Sequence, residues 1–516
     1  MNSELSLLTL TRISNGHRIS PRLPATTVMI PHLKACSMNV LRRVVPLVLL
    51  LPTIAAAADR PNVIFFLSDD HRADFLSCAG HPIVKTPSID SLAKRGVRFS
   101  NAFVTTSICA ASRATLFTGL WERSHKYTFG APAIASEMID ASYPAVLKAA
   151  GYRTGFVGKF GVNAGKGGTG RMFDSFVPLN RAPYFKKQSD GSTRHVTDIA
   201  GDKAIEFVQS CKPNQSFCLS VSFNAAHAED GDKANHFPWP PSEDGLYEDV
   251  TIPAPLVDTE FWKQLPEFLQ KSMHRDRWFW RWDTPEKYQK NVKAYYRMIT
   301  GLDRNIGRVL EAVEELGLAD NTIVIMLGDN GYYKGSRGFA GKWSHYEESL
   351  RVPLVVFDPR LAQDNRGRVL EQPTLNVDVP ATIVASCLGQ APSSYQGRDL
   401  SSLVGNFAVG PWRSDFLIEH LMHHPAIPKY EGIRGSRYVY ARYFEYLPEG
   451  EFLHDLKTDP LQLKNLAGDA NHADILQWMK SRCDQVRDEL GGEYTPEKFP
   501  NVRRQRAKQK KTGASQ

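Results

Sequence analysis

Val63-Ile64-Phe65-Phe66-Leu67 is a continuous apolar run just after Pro61, and it leads directly into Asp69-Asp70. A strand without polar alternation must be covered on both faces, as in a parallel sheet. Thr322-Ile323-Val324-Ile325-Met326-Leu327 and Pro353-Leu354-Val355-Val356-Phe357 read the same way. Between them, Val292, Tyr295, Ile299, Leu302, Ile306, Val309, Val313 and Leu316 recur at steps of three and four. That is one stripe of a long helix, which Gly317 ends. Helices alternating with fully apolar strands predict an α/β sheet with helices on both faces. In such sheets the ligand sits beyond the carboxyl ends of the strands. Two strands end in polar pairs there, Asp69-Asp70 and Asp329-Asn330.

At 516 residues the chain is too long for one core, since single cores stop growing at about 250–300 residues. From about residue 410 the texture changes to short segments that read as antiparallel strands: Asp415–Ile418, Tyr438–Tyr443 and Glu451–Leu456. A final helix containing Ile475, Met479, Val486 and Leu490 follows. The expected division is a catalytic domain at 59–405, a C-terminal sheet-plus-helix subdomain at 406–497 and a basic tail at 498–516. The stretch 228–285, rich in Pro, Trp and acids, has no steady period and reads as a long surface excursion near the site.

The net charge of +8 is concentrated at the ends. Residues 1–58 and 500–516 carry twelve Lys and Arg against one Glu, so the body between them is slightly acidic. Nucleic-acid binding is therefore not expected. Arg42-Arg43, the apolar run Val44 to Ile54 and Ala55-Ala56-Ala57-Ala58 follow in the order of a secretory signal. Residues 1–58 are read as a leader, with Met38 as the start of a signal peptide at 38–58. The run is too short to span a bilayer, which takes roughly 20 residues. The expectation is a periplasmic or secreted protein without stable membrane insertion. Seven cysteines are present. Cys211 and Cys218 are close enough in sequence to pair, but the count does not describe a disulfide-stapled scaffold.

Ser107-Ile108-Cys109-Ala110-Ala111-Ser112-Arg113-Ala114-Thr115-Leu116-Phe117-Thr118-Gly119 resembles the sulfatase pattern C-x-[P/A]-S-R-x-x-x-[LF]-T-G. The chain is identified as similar to the type I, formylglycine-dependent sulfatases of the alkaline phosphatase-like superfamily, as a bacterial exported member. The resemblance covers about 59–495 and implies a large mixed, mostly parallel sheet sandwiched by helices, with a smaller C-terminal antiparallel sheet-plus-helix subdomain. In that family the cysteine is oxidised to formylglycine and hydrates to a geminal diol. One hydroxyl attacks sulfur, and the other loses its proton as sulfate leaves and the aldehyde reforms. Arg113 lies one helical turn from Cys109. Asp69, Asp70, Asp329 and Asn330 offer only oxygen ligands, as a hard cation prefers. The resemblance implies that these four, with the oxygen at residue 109, hold one Ca²⁺.

Further stretches resemble the family. Thr154-Gly155-Phe156-Val157-Gly158-Lys159 places Lys159 on the sulfate and nucleophile. Ser222-Phe223-Asn224-Ala225-Ala226-His227 makes His227 the group that protonates the departing alcohol. Gly338-Phe339-Ala340-Gly341-Lys342, with Tyr346 to Pro353 after it, places Lys342 near the leaving oxygen. His454 to Pro460, with Asn465-Leu466, resembles the family's terminal strand and turn. The chain departs from the family in two places. Gly158-Lys159-Phe160-Gly161 lacks the histidine of the usual G-K-W-H, for which His125 or His345 are the candidate substitutes. Ala111 replaces the commoner Pro, which leaves open whether a formylglycine-generating or a radical maturation enzyme is the partner.

The function implied is hydrolysis of the sulfate ester of a sulfated carbohydrate. Asp70-His71-Arg72 and the Trp-rich 278–282 are candidate contacts for an anionic sugar. The rivals are a phosphatase or phosphodiesterase of the same superfamily, which would need Thr or Ser and two zinc ions, and a non-catalytic protein binding sulfated glycans.

Overall fold

The computed structural model describes residues 60–130, 132–407 and 410–499. The leader, Met38, Cys36 and the tail beyond Phe499 lie outside the described residues. Eight strands form the main sheet: β1 (Asn62–Ser68), β2 (Val97–Phe99), β3 (Arg153–Gly158), β4 (Ser175–Pro178), β5 (Phe217–Ser222), β6 (Thr322–Gly328), β7 (Leu354–Phe357) and β8 (Arg368–Leu370). Their spatial order is β8-β2-β7-β6-β1-β5-β3-β4. β1 pairs in parallel with β5 and β6, and β3 runs parallel to both β5 and β4. β7 alone among these is antiparallel to its neighbours, β6 and β2. The sheet is thus mixed and mostly parallel.

The apolar run of β1 splits between two cores, because successive side chains of a strand point to opposite faces. Val63, Phe65 and Leu67 enter one core, and Ile64 and Phe66 enter the other. The second is covered by α1 (Pro87–Arg95), by α3 (Val196–Gln209) and by the long α5 (Pro285–Glu315). Val292, Ile299, Leu302, Ile306 and Val309 are all buried in it. Leu316 falls just past the helix end and is exposed, so the buried stripe stops at Val313. The opposite face holds α2 (Cys109–Thr118), every residue of which is buried, and α6 (Asp378–Leu388).

The C-terminal region is an antiparallel sheet of β9 (Asp415–His420), β10 (Tyr430–Gly435), β11 (Tyr438–Arg442) and β12 (Glu451–Asp455), with α7 (Ala473–Glu489) beside it. Phe416, Leu417, Ile418, Tyr430, Ile433 and Leu453 share one core with α2 and the main sheet. The small sheet is therefore packed against α2 rather than folded apart from it. The stretch 228–285 is not a bare loop. It carries short helical turns and α4 (Met273–Arg281). Among the described residues all six cysteines are free. Cys211 Sγ turns to the Phe207 carbonyl (3.4 Å), while Cys218 is buried in the central strand β5. No helix among them is long and apolar enough to cross a membrane.

Candidate active site

The carboxyl ends of β1, β3, β5 and β6 bring six polar side chains to one place. Each strand delivers its residues in the first steps after the ladder ends, where backbone bonds still fix the chain. Asp329 N–H donates to the Ser68 carbonyl (2.9 Å), Asp69 N–H to the Ala225 carbonyl (2.8 Å) and His71 N–H to the Asn330 carbonyl (2.9 Å). Asp70 sits at φ +55°, a left-handed turn that lets its N–H reach Asp329 Oδ1 (3.2 Å). Asn330 Nδ2 donates to Asp70 Oδ1 (2.7 Å).

Cys109 is the first residue of α2. The chain entering it is pinned by Ser107 Oγ, bonded to the Ser349 carbonyl (2.7 Å), and the helix by Asn376 Nδ2, which donates to Ser112 Oγ (3.0 Å). One turn on, Arg113 is only 1% exposed and bridges three strand ends. Its Nε donates to Asp329 Oδ2 (2.9 Å), its Nη1 to the Lys159 carbonyl (2.6 Å), and its Nη2 stands 3.8 Å from Asp69. Lys159 Nζ bonds Asp69 Oδ2, and Lys342 Nζ bonds Asp70 Oδ1. Burial alone would push the Asp69 carboxyl up, but Lys159, Arg113 and Lys342 together hold it below its ordinary value. Asp329 shifts the other way, because burial and the neighbouring Asp69 charge outweigh Arg113 and Lys159. Lys342 stays protonated against its burial because Asp70 and then Cys109 face it.

His227 donates its Nδ1 proton to the Ala228 carbonyl (2.7 Å), which leaves Nε2 facing Asp70 Oδ2 at 3.7 Å. Burial, followed by Arg181, Lys342 and Lys159, keeps the ring neutral. The sequence-derived residues Asp69, Asp70, Arg113, Lys159, His227, Asp329, Asn330 and Lys342 thus adjoin one another, with Cys109 beside Lys342 and Arg113.

Their donor set fits a hard cation. Asp69 Oδ1 and Asn330 Oδ1 are buried without a hydrogen-bond donor, and three carboxylates crowd a site from which water is largely shut out. Among the described residues, the group of His, Cys and acidic side chains whose ligand atoms lie within 4.8 Å of one another is Asp69, Asp70 and His227. His227 Nε2 therefore stands within the same cluster of potential ligand atoms as the two aspartates.

The structure reassigns several other residues. His125 bonds Thr115 Oγ1 (3.1 Å) and the Tyr127 N–H (3.1 Å), and His345 bonds Tyr443 (3.0 Å) and His454 (3.2 Å). Both rings are committed elsewhere, so neither replaces the missing histidine. His71 is buried against Ser68 (3.0 Å) and the Phe75 carbonyl (3.1 Å). Arg72 pairs with Asp74 (2.5 Å) and lines a separate cleft of about 290 Å³ with Arg98, Arg337 and Arg351. Neither is placed to read a sugar at Cys109. Within 278–282, Trp278 and Trp282 are core residues, whereas Phe279 and Trp280 are exposed. Arg181, which faces His227, carried no motif and was not found from sequence.

Comparison with known proteins agrees with this geometry. Residues 61–388 match the Sulfatase family, and 335–489 match the family described as N-sulphoglucosamine sulphohydrolase, C-terminal. An N-acetylglucosamine-6-O-sulfatase of Bacteroides thetaiotaomicron is 26% identical over 83% of this chain and 87% of its own. An arylsulfatase of Clostridium perfringens is 24% identical over 82% of this chain and 93% of its own. In fold, the chain resembles a protein solved with its substrate D-glucosamine-2-N,6-O-disulfate, at a TM-score of 0.70 and 24% identity, covering 84% of this chain and 98% of that one. A phosphonate monoester hydrolase of Agrobacterium radiobacter superposes with a TM-score of 0.68 at 22% identity, covering 84% and 96%. The family match spans well over half the chain and includes Asp69, Asp70, Cys109, Arg113, Lys159, His227, Asp329, Asn330 and Lys342: this protein is a sulfatase and belongs to the sulfatase family.

Proposed function

We propose that this sulfatase hydrolyses sulfate esters of a sulfated carbohydrate, with a formylglycine made from Cys109 and one Ca²⁺ at Asp69, Asp70, Asp329 and Asn330. The observation that carries the reading is the convergence of Arg113, Lys159, Lys342 and His227 on those carboxylates beside the start of α2. Bound there, the two groups would supply a nucleophilic oxygen and a positive charge that lowers its pKa.

The rest is the work of side chains. Lys159 pairs with Asp69 and Lys342 with the neighbouring Asp70, so a sulfate bound at these carboxylates has two ammonium groups at hand. Arg113 orients Asp69 and Asp329 and holds the Lys159 segment through its carbonyl. His227 is neutral in the free protein, and an anion arriving beside it favours the protonated ring, which can then pass the Nε2 proton to the departing alcohol. Gly161 offers no side chain for the family's usual base, so release of sulfate is assigned to solvent. The relatives named for sulfated sugars support the carbohydrate assignment. The Arg42–Ala58 segment supports maturation by a formylglycine-forming enzyme during export to the periplasm or outside.

Two measurements test this together. Mass spectrometry of the peptide spanning Cys109, from a maturation-competent host, should show a loss of about 18 Da for conversion of thiol to aldehyde. The same preparation should release sulfate from a sulfated sugar. An unconverted Cys109 with full activity would refute the nucleophile, and conversion without sulfate release from any sugar or aryl sulfate would refute the reaction.

A further inference from the structure

Three arginines outside the sulfatase motifs gather at the rim of the site. Arg277 Nη2 donates to Asp230 Oδ2 (3.0 Å), and Arg281 Nη2 bonds Asp230 Oδ1. Arg181 Nε donates to the Ala228 carbonyl (3.2 Å), the same oxygen that takes the His227 proton. Across the cluster, the Arg277 guanidinium lies 4.9 Å from the centre of the Trp343 ring, and Trp343 directly follows Lys342. The arginines are thus tied to the sulfate clamp on two sides, through His227 and through Lys342.

Their charge exceeds what the protein offers them. Burial raises the Asp230 carboxyl, but Arg277, Arg281 and Arg181 outweigh it; Asp230 is the acid that pairs with both Arg277 and Arg281, while Arg181 faces Asp69 as well. Glu229 also faces Arg181; one of its oxygens takes the Gly231 N–H (3.1 Å), Lys186 is nearby, and its Oε2 is a buried acceptor without a donor, so it accepts from none of the three arginines. The Arg281 side chain is 0% exposed, and its Nε and Nη1 have no acceptor. Arg277 Nε, Trp343 Nε1 and the Tyr332 hydroxyl are likewise buried donors without one. Buried donors of this kind are costly unless something accepts from them, and a guanidinium suits a planar or tetrahedral oxyanion best. Beside them Trp280 is 41% exposed, with the Arg281 and Arg277 guanidiniums 5.6 and 6.0 Å from its ring. An exposed aromatic face next to unpaired guanidiniums matches a sugar ring that carries a negative group.

We propose that Arg181, Arg277 and Arg281 form a second anion site of the substrate pocket, which holds a carboxylate or a further sulfate of the sugar while Trp280 lies against a ring face. The inference deepens the sulfate-ester reading and rests on it. It makes a sugar with two anionic groups the preferred substrate over one that carries the scissile sulfate alone.

The test compares kcat/KM of the mature, calcium-loaded enzyme on glucosamine 6-sulfate, glucosamine 2-N,6-O-disulfate and a 6-sulfated disaccharide containing a uronate. Arg277 is the residue to change, since its side chain is 17% exposed and its replacement does not open the core. Arg277→Ala should lower kcat/KM on a doubly anionic substrate about tenfold or more beyond its effect on the monosulfate. Arg277→Lys should recover part of the loss. A selective loss on the disulfate identifies the second group as sulfate, and on the uronate as carboxylate. Equal losses on all three sugars, or no loss, would overturn the second site. If the wild type releases sulfate neither from any of these sugars nor from 4-nitrocatechol sulfate, the sulfatase reading has failed. Calorimetric binding of the same sugars to wild type and Arg277→Ala then decides the arginine site alone, and equal affinities would overturn it.

Discussion

Gly161 occupies the position where the family's usual G-K-W-H has its histidine, and its backbone explains why no side chain stands there. Its φ is +74°, and a Cβ built on it would lie 2.8 Å from Arg113 Cδ. A left-handed residue with a side chain is strained by roughly 1–2 kcal/mol before any contact. Gly161→Ala, and Gly161→His still more, should therefore push Arg113 off Asp329 and lower kcat about tenfold or more, rather than restore a base. Sulfate release by each variant at saturating substrate checks this, and an unchanged or faster rate for Gly161→His would contradict it. Cys109→Ala should lower the same rate at least about a thousandfold, in line with loss of a nucleophile from a covalent mechanism. At this scale the sequence was most legible where spacing carries geometry. Arg113 lies one turn from Cys109, and Asp69-Asp70 and Asp329-Asn330 each follow an apolar strand. Arg181 and Arg277 were illegible for the converse reason. Arg181 is a single charge in irregular chain and Arg277 one on a short helix, and only tertiary packing brings the first to His227 and the second to Trp343.

Elements were readable when burial left a one-dimensional mark. β1, β6 and the stripe of α5 follow from apolar runs and from steps of three and four. β7 shows the limit, because an apolar run has no direction, and Leu354–Phe357 proves antiparallel to both neighbours. β10 was missed because Glu431 and Arg434 interrupt its pattern. They are charged because they pair, Arg123 Nη2 with Glu431 (2.6 Å) and Arg434 Nε with Glu347 (3.1 Å). Arg123 also donates from Nε to Glu419 (3.0 Å), with both side chains fully buried, and so ties the turn after α2 to β9 and β10. Arg123→Ala would leave Glu419 uncompensated, at a cost of about 3–5 kcal/mol. A fall in the denaturant midpoint with unchanged slope would show it, and a shift smaller than about 1 kcal/mol would mean the network is not a tether.

A second element carries a pH signature away from the catalytic carboxylates. Asp303 of α5 accepts the Ile89 (2.8 Å) and Ser88 (3.0 Å) N–H groups at the start of α1. Burial pushes its carboxyl up to about 7, against 3.8 when free. The folded state thus holds a proton that the unfolded chain has already lost. The stability this contributes is complete below about 4 and is lost as pH rises through about 7. Asp303→Asn should remove that slope, so thermal unfolding of wild type and variant from pH 4 to 8 should diverge within that window. Parallel curves would place the Asp303 proton elsewhere.

At the level of the whole molecule, the mixed sheet gathers charge that its apolar walls would otherwise forbid. Asp69, Asp70 and Asp329 are buried together, and two lysines and one arginine offset them. Two oxygens, Asp69 Oδ1 and Asn330 Oδ1, remain without donors. A divalent cation there would satisfy both oxygens and relieve repulsion among the carboxylates, so it should bind the folded chain far better than the unfolded one. Binding of that kind stabilises by about 2.7 kcal/mol at a concentration one hundred times Kd. Chelator-treated protein should therefore unfold at a lower temperature and regain it on titration with Ca²⁺, even where Cys109 is unconverted and no sulfate can be cleaved. Asp69→Asn removes one charge from the ligand set and should weaken this dependence in proportion to the lost affinity. The thermal readout separates a metal that holds the site together from one that only assists the reaction. If calcium restored sulfate release without moving the unfolding temperature, the carboxylate cluster would be stable on its lysines alone, and the ion would belong to the substrate-bound state.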